Sequence, residues 1–538
     1  MEVNRTLMWP RSAAGTRRLG AVGARRLGAL GSLAIAAGGT AAGALPAREP
    51  WGLWVPRGSV TTVAASVLAY AGLTLLVMAW WAYRESAAEQ RVRDTVVTLG
   101  WWAAPLLLAP PLHSADVYSY LAQGAMVLDG HDVYAHGPSA LGPDSLGADA
   151  AASVGGNWTD TPAPYGPLFL ALAEAVARTT GGAIVPGVLG LRLLAVGALA
   201  LIVWAVRRLA VECGTSESSA VWLAALNPLL LMHVVGGAHN DGLMIGLMLT
   251  GVCWALRGRW TLGSAAVALA ATVKSPAAVA LLFVGVIVVR RGDGPVLRRV
   301  AKAVLGPGAV AAAVAVAATV LGGTGFGWLR TQGVAAAIHT PLSLTSDVGL
   351  AAGYLARLVA GTDPFAVRSA AQSLGLAAAL AVIAVLALRA LRGRLDPVRA
   401  LGLSLLGLVA LSPMVQPWYL LWGTAVAAGA TAWADGTDRT ERSEWTDRTD
   451  RTDRTDRTDR TDRTDGVDRT HRVGRTVRIL MVLSVALVYE TQPSGHTPAY
   501  GFVLAGAAAV VATVSVRRLG RRAEPGPALA AGPTARVG

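Results

Sequence analysis

The chain has 538 residues, of which 53% are hydrophobic and 15% charged, and its mean hydropathy is +0.48. Repeated apolar runs of the roughly 20 residues that a bilayer-spanning helix needs make it a polytopic membrane protein rather than a soluble enzyme. The formal charge of +14 does not mark a nucleic-acid binder, because the arginines gather at the ends of apolar runs (207–208, 257–259, 290–291, 298–299, 389–394 and 517–522) and read as cytoplasmic anchors.

In chain order, residues 1–27 form a basic amino-terminal segment. With the Gly/Ala run 28–44 and Ala44-Leu45-Pro46-Ala47 it resembles a signal peptide and cleavage site, but a retained first helix fits the parity of the later spans. Apolar length and arginine placement give spans near 28–46, 60–82 and 95–112. No lysine or arginine occurs between Arg93 and Arg178, so the polar loop 113–164 is expected outside. Tyr165-Gly166-Pro167-Leu168-Phe169 opens a short apolar stretch to residue 177, read as a partial or interfacial helix, since a full crossing would put Arg207-Arg208 outside.

Further spans follow at 186–206, 218–235 and 240–256, two short ones at 260–273 and 276–289, then 303–321, 369–388, 398–412, 418–432, 477–490 and 499–516. The fold expected is all-α, with about 13–14 transmembrane helices, interfacial helices in the first outer loop and both termini cytoplasmic. Outer stretches are then 236–241, 274–276, 322–363, 413–418 and 490–500. Residues 28–432 form the membrane catalytic region, with helices 477–516 and a cytoplasmic tail 517–538 behind it. Between them, 433–476 carries Thr-Asp-Arg triplets, unbroken from Thr446 to Asp465. Alternating charge without an apolar period builds no core, so this is expected to be a disordered cytoplasmic loop.

Chemistry is sought first at Asp116, which follows Pro110-Pro111 and so stands at the mouth of the third span, within reach of a lipid-borne substrate and of water. Asp129, Asp132, Asp144, Asp149 and Asp160 lack that placement. His239-Asn240-Asp241 follows Gly236-Gly237 at a helix junction, where capping competes with substrate contact. Lys274-Ser275-Pro276 interrupts an apolar run, and Arg192 lies inside one. Each either snorkels to headgroups or meets a lipid phosphate. Pro413-Met414-Val415-Gln416-Pro417-Trp418-Tyr419 is a proline-braced turn, either an interfacial aromatic belt or a sugar-stacking platform. Cys213 and Cys253 have no CxxC spacing and read as plain thiols. Nothing matches a nucleotide-binding loop, HExxH or a serine nucleophile elbow, so a cytosolic nucleotide donor is not expected.

Together, Asp116-Val117-Tyr118-Ser119-Tyr120, Asp160-Thr161-Pro162-Ala163-Pro164-Tyr165-Gly166-Pro167-Leu168, Gly237-Ala238-His239-Asn240-Asp241 and Ser412-Pro413-Met414-Val415-Gln416-Pro417-Trp418-Tyr419 resemble the actinobacterial polyprenol-phosphomannose-dependent α-1,6-mannosyltransferases of the GT-C superfamily. The resemblance spans about residues 60–520 and leaves out the triplet tract. It implies a polyprenyl-phosphate-mannose donor, a lipid-anchored mannan acceptor of the lipomannan type, and transfer on the outer face of the plasma membrane. It places the essential acid at Asp116. Substrate contacts are then expected from Tyr118, Tyr165, Arg192, His239, Asn240, Asp241, Lys274, Gln416, Trp418 and Tyr419. No cofactor is expected, and a single acid near Tyr118 is no metal pair.

The chemistry agrees with the residues alone. A lipid phosphate leaves without a strong acid, whereas an attacking hydroxyl needs a base, so one carboxylate suffices for an inverting displacement. Lys274, Arg192 or Arg330 would stabilise the departing phosphate. Arabinose or glucose on the same lipid would need the same groups. A polyprenyl-lipid transporter or flippase is the rival from another class, but it calls for repeated halves and midplane polar groups, and the polar groups here mass on one face.

Overall fold

The computed structural model describes residues 19–48, 58–338, 340, 342–430 and 474–490, with isolated positions 506, 507, 510 and 514. The triplet tract at 433–473, most of the expected span 499–516, and the terminal segments 1–18 and 517–538 lie outside the described residues. The principal helices are α1 (Ala21–Ala42), α2 (Ser59–Ala87), α3 (Val92–Leu108), α4 (Asp116–Leu128), α5 (Pro167–Thr180), α6 (Ile184–Glu212), α7 (Glu217–Ala224), α8 (Asp241–Leu256), α9 (Trp260–Ala271), α10 (Val279–Arg291), α11 (Val296–Gly322), α12 (Leu344–Ala360), α13 (Pro364–Leu391), α14 (Pro397–Ala410), α15 (Leu420–Ala430) and α16 (Arg475–Glu490). No strand occurs among the described residues. The chain is an all-α, multi-pass membrane protein, as its composition required.

Among the described residues α2, α6, α11 and α13 are each long and apolar enough to span by themselves, and α7 with Pro228–Gly236 is apolar enough as a pair bent by 50°. The apolar α8, α9 and α14 have only 16, 12 and 14 residues. Prolines at 228, 276 and 413 cut otherwise continuous apolar runs, because proline cannot donate to the helix ladder. The resulting half-helices satisfy their ends inside protein instead of lipid. Asn227 shows how, its Oδ1 accepting from the Leu229 N–H (3.0 Å) while its Nδ2 donates to Ser484 on α16 (2.9 Å). One difference is α12, which occupies the stretch 322–363 that the sequence left without a helix. Ser343 caps it, its hydroxyl accepting from the Ser346 N–H (3.3 Å).

Two contacts fix the amino-terminal helices. A Cβ on Gly31 would lie 2.7 Å from the Gly72 carbonyl, so only small residues let α1 and α2 cross this closely. Trp80 and Trp222 stack at 5.0 Å, and each indole N–H donates to the other's carbonyl (3.1 and 2.9 Å). That clasp joins α2 to α7 and satisfies both indole N–H groups.

The half-helices also sort the chain's polar groups between two ends. Asp241 opens α8 and Arg257 follows its last residue, whereas α9 returns toward Lys274 and α10 leaves again to Arg290 and Arg291. Asp241 and Lys274 therefore lie at one set of these helix ends, and Arg257, Arg290 and Arg291 at the other.

Candidate active site

Asp116 is the first residue of α4, where free N–H groups and the helix dipole favour an anion. Its own N–H donates to the Ser114 hydroxyl (3.1 Å). Carboxylate Oδ2 lies 3.4 Å from His239 Nδ1. Tyr120, one turn further along α4, brings its hydroxyl to 3.4 Å from the same nitrogen, as residues four apart share a helix face. Asp116 is 22% exposed at its side chain. Burial pushes its carboxyl up, but the hydrogen bond and charge of His239, the Ser114 bond and the charge of Lys274 outweigh burial and hold it below the ordinary value of 3.8. Asp116 is thus ionised at neutral pH.

A second carboxylate lies deeper. Asp241 is fully buried, and both its oxygens accept from Lys274 Nζ at 3.0 Å, while Oδ1 also accepts from the Trp422 indole N–H (2.7 Å). The ammonium sits 4.4 Å from the centre of the Tyr419 ring and 5.5 Å from that of Trp422, two rings stacked at 4.3 Å. Lys274 therefore does not snorkel outward. It turns inward because a buried ammonium needs a counter-ion. Nor do the side chains of Asn240 and Asp241 cap α8: Asn240 stands at the cap position without a side-chain bond, and both its amide atoms are buried without a partner.

Three histidines and a tryptophan lie between these centres. Trp418 covers His239 at 3.9 Å and reaches His233 at 4.9 Å, while His113 meets His233 edge-on at 6.0 Å. Burial lowers His113 to about 4, so it is neutral at pH 7. A cavity of about 560 Å³ opens beside this group. It is lined on one side by His113, Asp116, Gln416 and Trp418, and on the other by Ala41–Ala47 and the loop ending at Trp158. No group of three or more metal-ligating side chains is arranged to hold an ion among the described residues.

The four sequence motifs thus converge. The Tyr165 segment is tied to the Lys274 turn, with Gly166 and Leu168 N–H groups donating to Val273 and Thr272 carbonyls (3.3 and 3.2 Å). Tyr165 packs edge-on against Tyr120 at 5.3 Å. The Pro413 turn is held from a segment that sequence reasoning passed over: Ser346 and Ser343 hydroxyls donate to Pro413 and Ser412 carbonyls (2.6 and 2.9 Å).

Two expected substrate contacts have other work. Tyr118 is buried and donates to the Ala44 carbonyl (2.7 Å), holding the segment after α1 against α4. Arg192 is 3% exposed and donates to the backbone carbonyls of Leu107, Ala109 and Gly236. A buried guanidinium must be satisfied, and two chain turns supply the acceptors. Arg330 is exposed on a segment away from the cavity lining. His113, Tyr120, His233 and Trp422 were not singled out from sequence. Tyr120 alone carried a signal, its four-residue spacing from Asp116.

This arrangement has close counterparts in sequence. Residues 25–290 match the model described as "Alpha-(1->6)-mannopyranosyltransferase, N-terminal domain", and residues 345–440 match the "MptB C-terminal domain". A protein of Mycolicibacterium smegmatis named "Probable alpha-(1->6)-mannopyranosyltransferase" is 38% identical over 68% of this chain and 70% of its own length. An alpha-(1->6)-mannopyranosyltransferase of Mycobacterium tuberculosis is 38% identical over 62% of this chain and 64% of its own. Alpha-(1->6)-mannopyranosyltransferase A of the same organism is 35% identical over 68% and 71%. The chain thus spans about two thirds of the length of these relatives. No solved structure matches it. The matched regions contain Asp116, His239, Asp241, Lys274 and Trp418, and the chain belongs to the alpha-(1->6)-mannopyranosyltransferase family of membrane glycosyltransferases.

Proposed function

We propose that this protein transfers mannose from polyprenyl-phosphate-mannose to a lipid-anchored α-1,6-mannan acceptor on the outer face of the plasma membrane, with inversion at the anomeric carbon and Asp116 as base. The observation that carries the reading is an ionised carboxylate on the wall of a 560 Å³ cavity at a helix mouth. The acceptor hydroxyl attacks C1 of the sugar, the bond from C1 to the phosphate oxygen breaks, and its electron pair leaves with the polyprenyl phosphate. The hydroxyl proton passes to Asp116. A base on the face opposite the leaving group enforces inversion. Trp418, Gln416 and Trp158 offer stacking and polar contacts to the sugars within the cavity.

Lys274 contributes positive charge near Asp116, but in the free protein Asp241 already occupies it. Its charge therefore orders the Tyr419 and Trp422 side of the site and favours the anionic base. The separation of polar motifs from arginine-bearing helix ends supports an extracytoplasmic site.

Asp116→Asn decides the central point, because it preserves shape and removes the base. Membranes carrying the variant at normal abundance are expected to transfer no mannose from polyprenyl-phosphate-mannose. Retained transfer would take the base role from Asp116, and a panel of polyprenyl-phosphate sugars with linkage analysis of the product tests the donor and the linkage.

A further inference from the structure

The backbone around His239 is built for one purpose that the motif alone does not reveal. The chain enters as a π-helical segment, Leu231–Gly236, a rare geometry frequent at functional sites. It continues through Gly237, where a Cβ would lie 2.8 Å from the His233 carbonyl oxygen, 2.9 Å from His239 Cδ2 and 3.1 Å from Nε2, so only glycine lets both the chain and the ring pack this closely. Ala238 then takes a left-handed φ of 51°, the only such non-glycine among the described residues. That conformation costs an alanine of order 1 kcal/mol and persists only where the surroundings enforce it. Trp418 closes the imidazole from the other face at 3.9 Å.

All of this delivers one atom. Nδ1 stands 3.4 Å from Asp116 Oδ2 and 3.4 Å from the Tyr120 hydroxyl. An ionised carboxylate only accepts, so the tautomer that binds Oδ2 carries its proton on Nδ1. Nε2 is buried without a partner.

We propose that His239 is a positioning residue for Asp116: its Nδ1–H holds Oδ2 and leaves the other carboxylate oxygen to take the acceptor's proton in the cavity. The inference rests on the proposed function in taking Asp116 as base. It differs from substrate contact, because a residue that only bound sugar would raise KM, whereas one that aims the base lowers kcat.

The test uses full-length protein in membranes, with polyprenyl-phosphate-mannose as donor and wild type and Asp116→Asn alongside. Asn carries its amide nitrogen where Nδ1 sits, and Gln carries it where Nε2 sits. His239→Asn is expected to keep kcat within about tenfold of wild type, while His239→Gln and His239→Leu lose about 100-fold at little-changed donor KM, the scale of a misplaced catalytic group. Gly237→Ala, which crowds the ring and the His233 carbonyl without removing a functional group, should lower kcat in the wild-type background and add little to His239→Leu. An Asn variant as impaired as Leu, an active Leu variant, or additive effects of Gly237→Ala would each overturn the inference. Should the Leu variant not accumulate, the order of Asn and Gln decides alone. A wild type that transfers nothing from this donor, or a fully active Asp116→Asn, removes the functional reading itself.

Discussion

Lys274 Nζ lies 3.0 Å from both oxygens of Asp241, closing the gap between the end of α9 and the start of α8. This pair does more for the fold than a phosphate-seeking lysine would. Asp241 is fully buried, and removing one partner of a buried ion pair strands the other, at about 3–5 kcal/mol. Lys274→Ala is therefore expected to lower the thermal unfolding midpoint of the solubilised protein sharply as well as its transferase activity. Lys274→Met combined with Asp241→Asn should recover most of the midpoint without recovering turnover. Equal stability of wild type and Lys274→Ala would dismiss the pair as a structural element.

Arg192 ties together the two turns that carry the site. Its bonds to Leu107 and Ala109 fix the turn leading to Asp116, and its bond to Gly236 fixes the turn leading to His239. Hydrogen bonds to a charged group contribute about 1.5–3 kcal/mol each. Arg192→Ala should accordingly destabilise the protein and depress kcat, while donor KM changes little, since backbone carbonyls take up the guanidinium. A rise confined to donor KM would restore it as a lipid-phosphate ligand.

The pH dependence follows from the sign of the Asp116 shift. Its carboxyl titrates below 3.8, because His239, Ser114 and Lys274 outweigh burial. The base form thus prevails across the neutral range and is lost only as pH falls through the lowered value. The rate profile in membranes should show no acid limb from Asp116 between about pH 5 and 8. A limb centred near 6 would mean that a group other than Asp116 must be deprotonated.

Tyr118 tests the boundary between site and scaffold. Tyr118→Phe removes one hydrogen bond to Ala44 and should cost about 1 kcal/mol of stability with turnover close to wild type. A large loss of donor affinity in a stably folded variant would return Tyr118 to the binding surface.

The crossing of α1 and α2 offers a test of the fold alone. Gly31→Leu places atoms where the Gly72 carbonyl and the Leu76 N–H now stand, at 2.7 and 2.8 Å from the first added carbon. Overpacking of this kind costs about 1–3 kcal/mol or more, whereas Gly197→Ala, with open space around its Cβ, should be neutral or slightly stabilising. Comparable accumulation of Gly31→Leu and wild type in membranes would contradict the close crossing.

Much of this was legible from local chemistry. Pro110-Pro111 ends α3 because proline cannot extend the ladder, and that alone puts Asp116 at a helix mouth. Lys274-Ser275-Pro276 breaks its apolar run for the same reason, as the gap between α9 and α10 bears out. At Asn240 and Asp241 residue type left capping and substrate contact both open, because the partners of Asp241 come from 33 and 181 residues away. The helix α12 was missed because a short amphipathic segment leaves no long apolar run to find.

What the amino-acid order determines by itself is membrane insertion, helix ends and the identity of the reactive groups, since length, hydropathy and proline act over a few residues. Only the tertiary structure decides which groups meet. It places His239 beside Asp116, gives Lys274 to Asp241, and bonds Tyr118 and Arg192 to backbone carbonyls. Burial leaves a polar atom no water to fall back on, so its partner is chosen by whatever the packed helices bring within about 3 Å, and that choice is invisible in a linear chain.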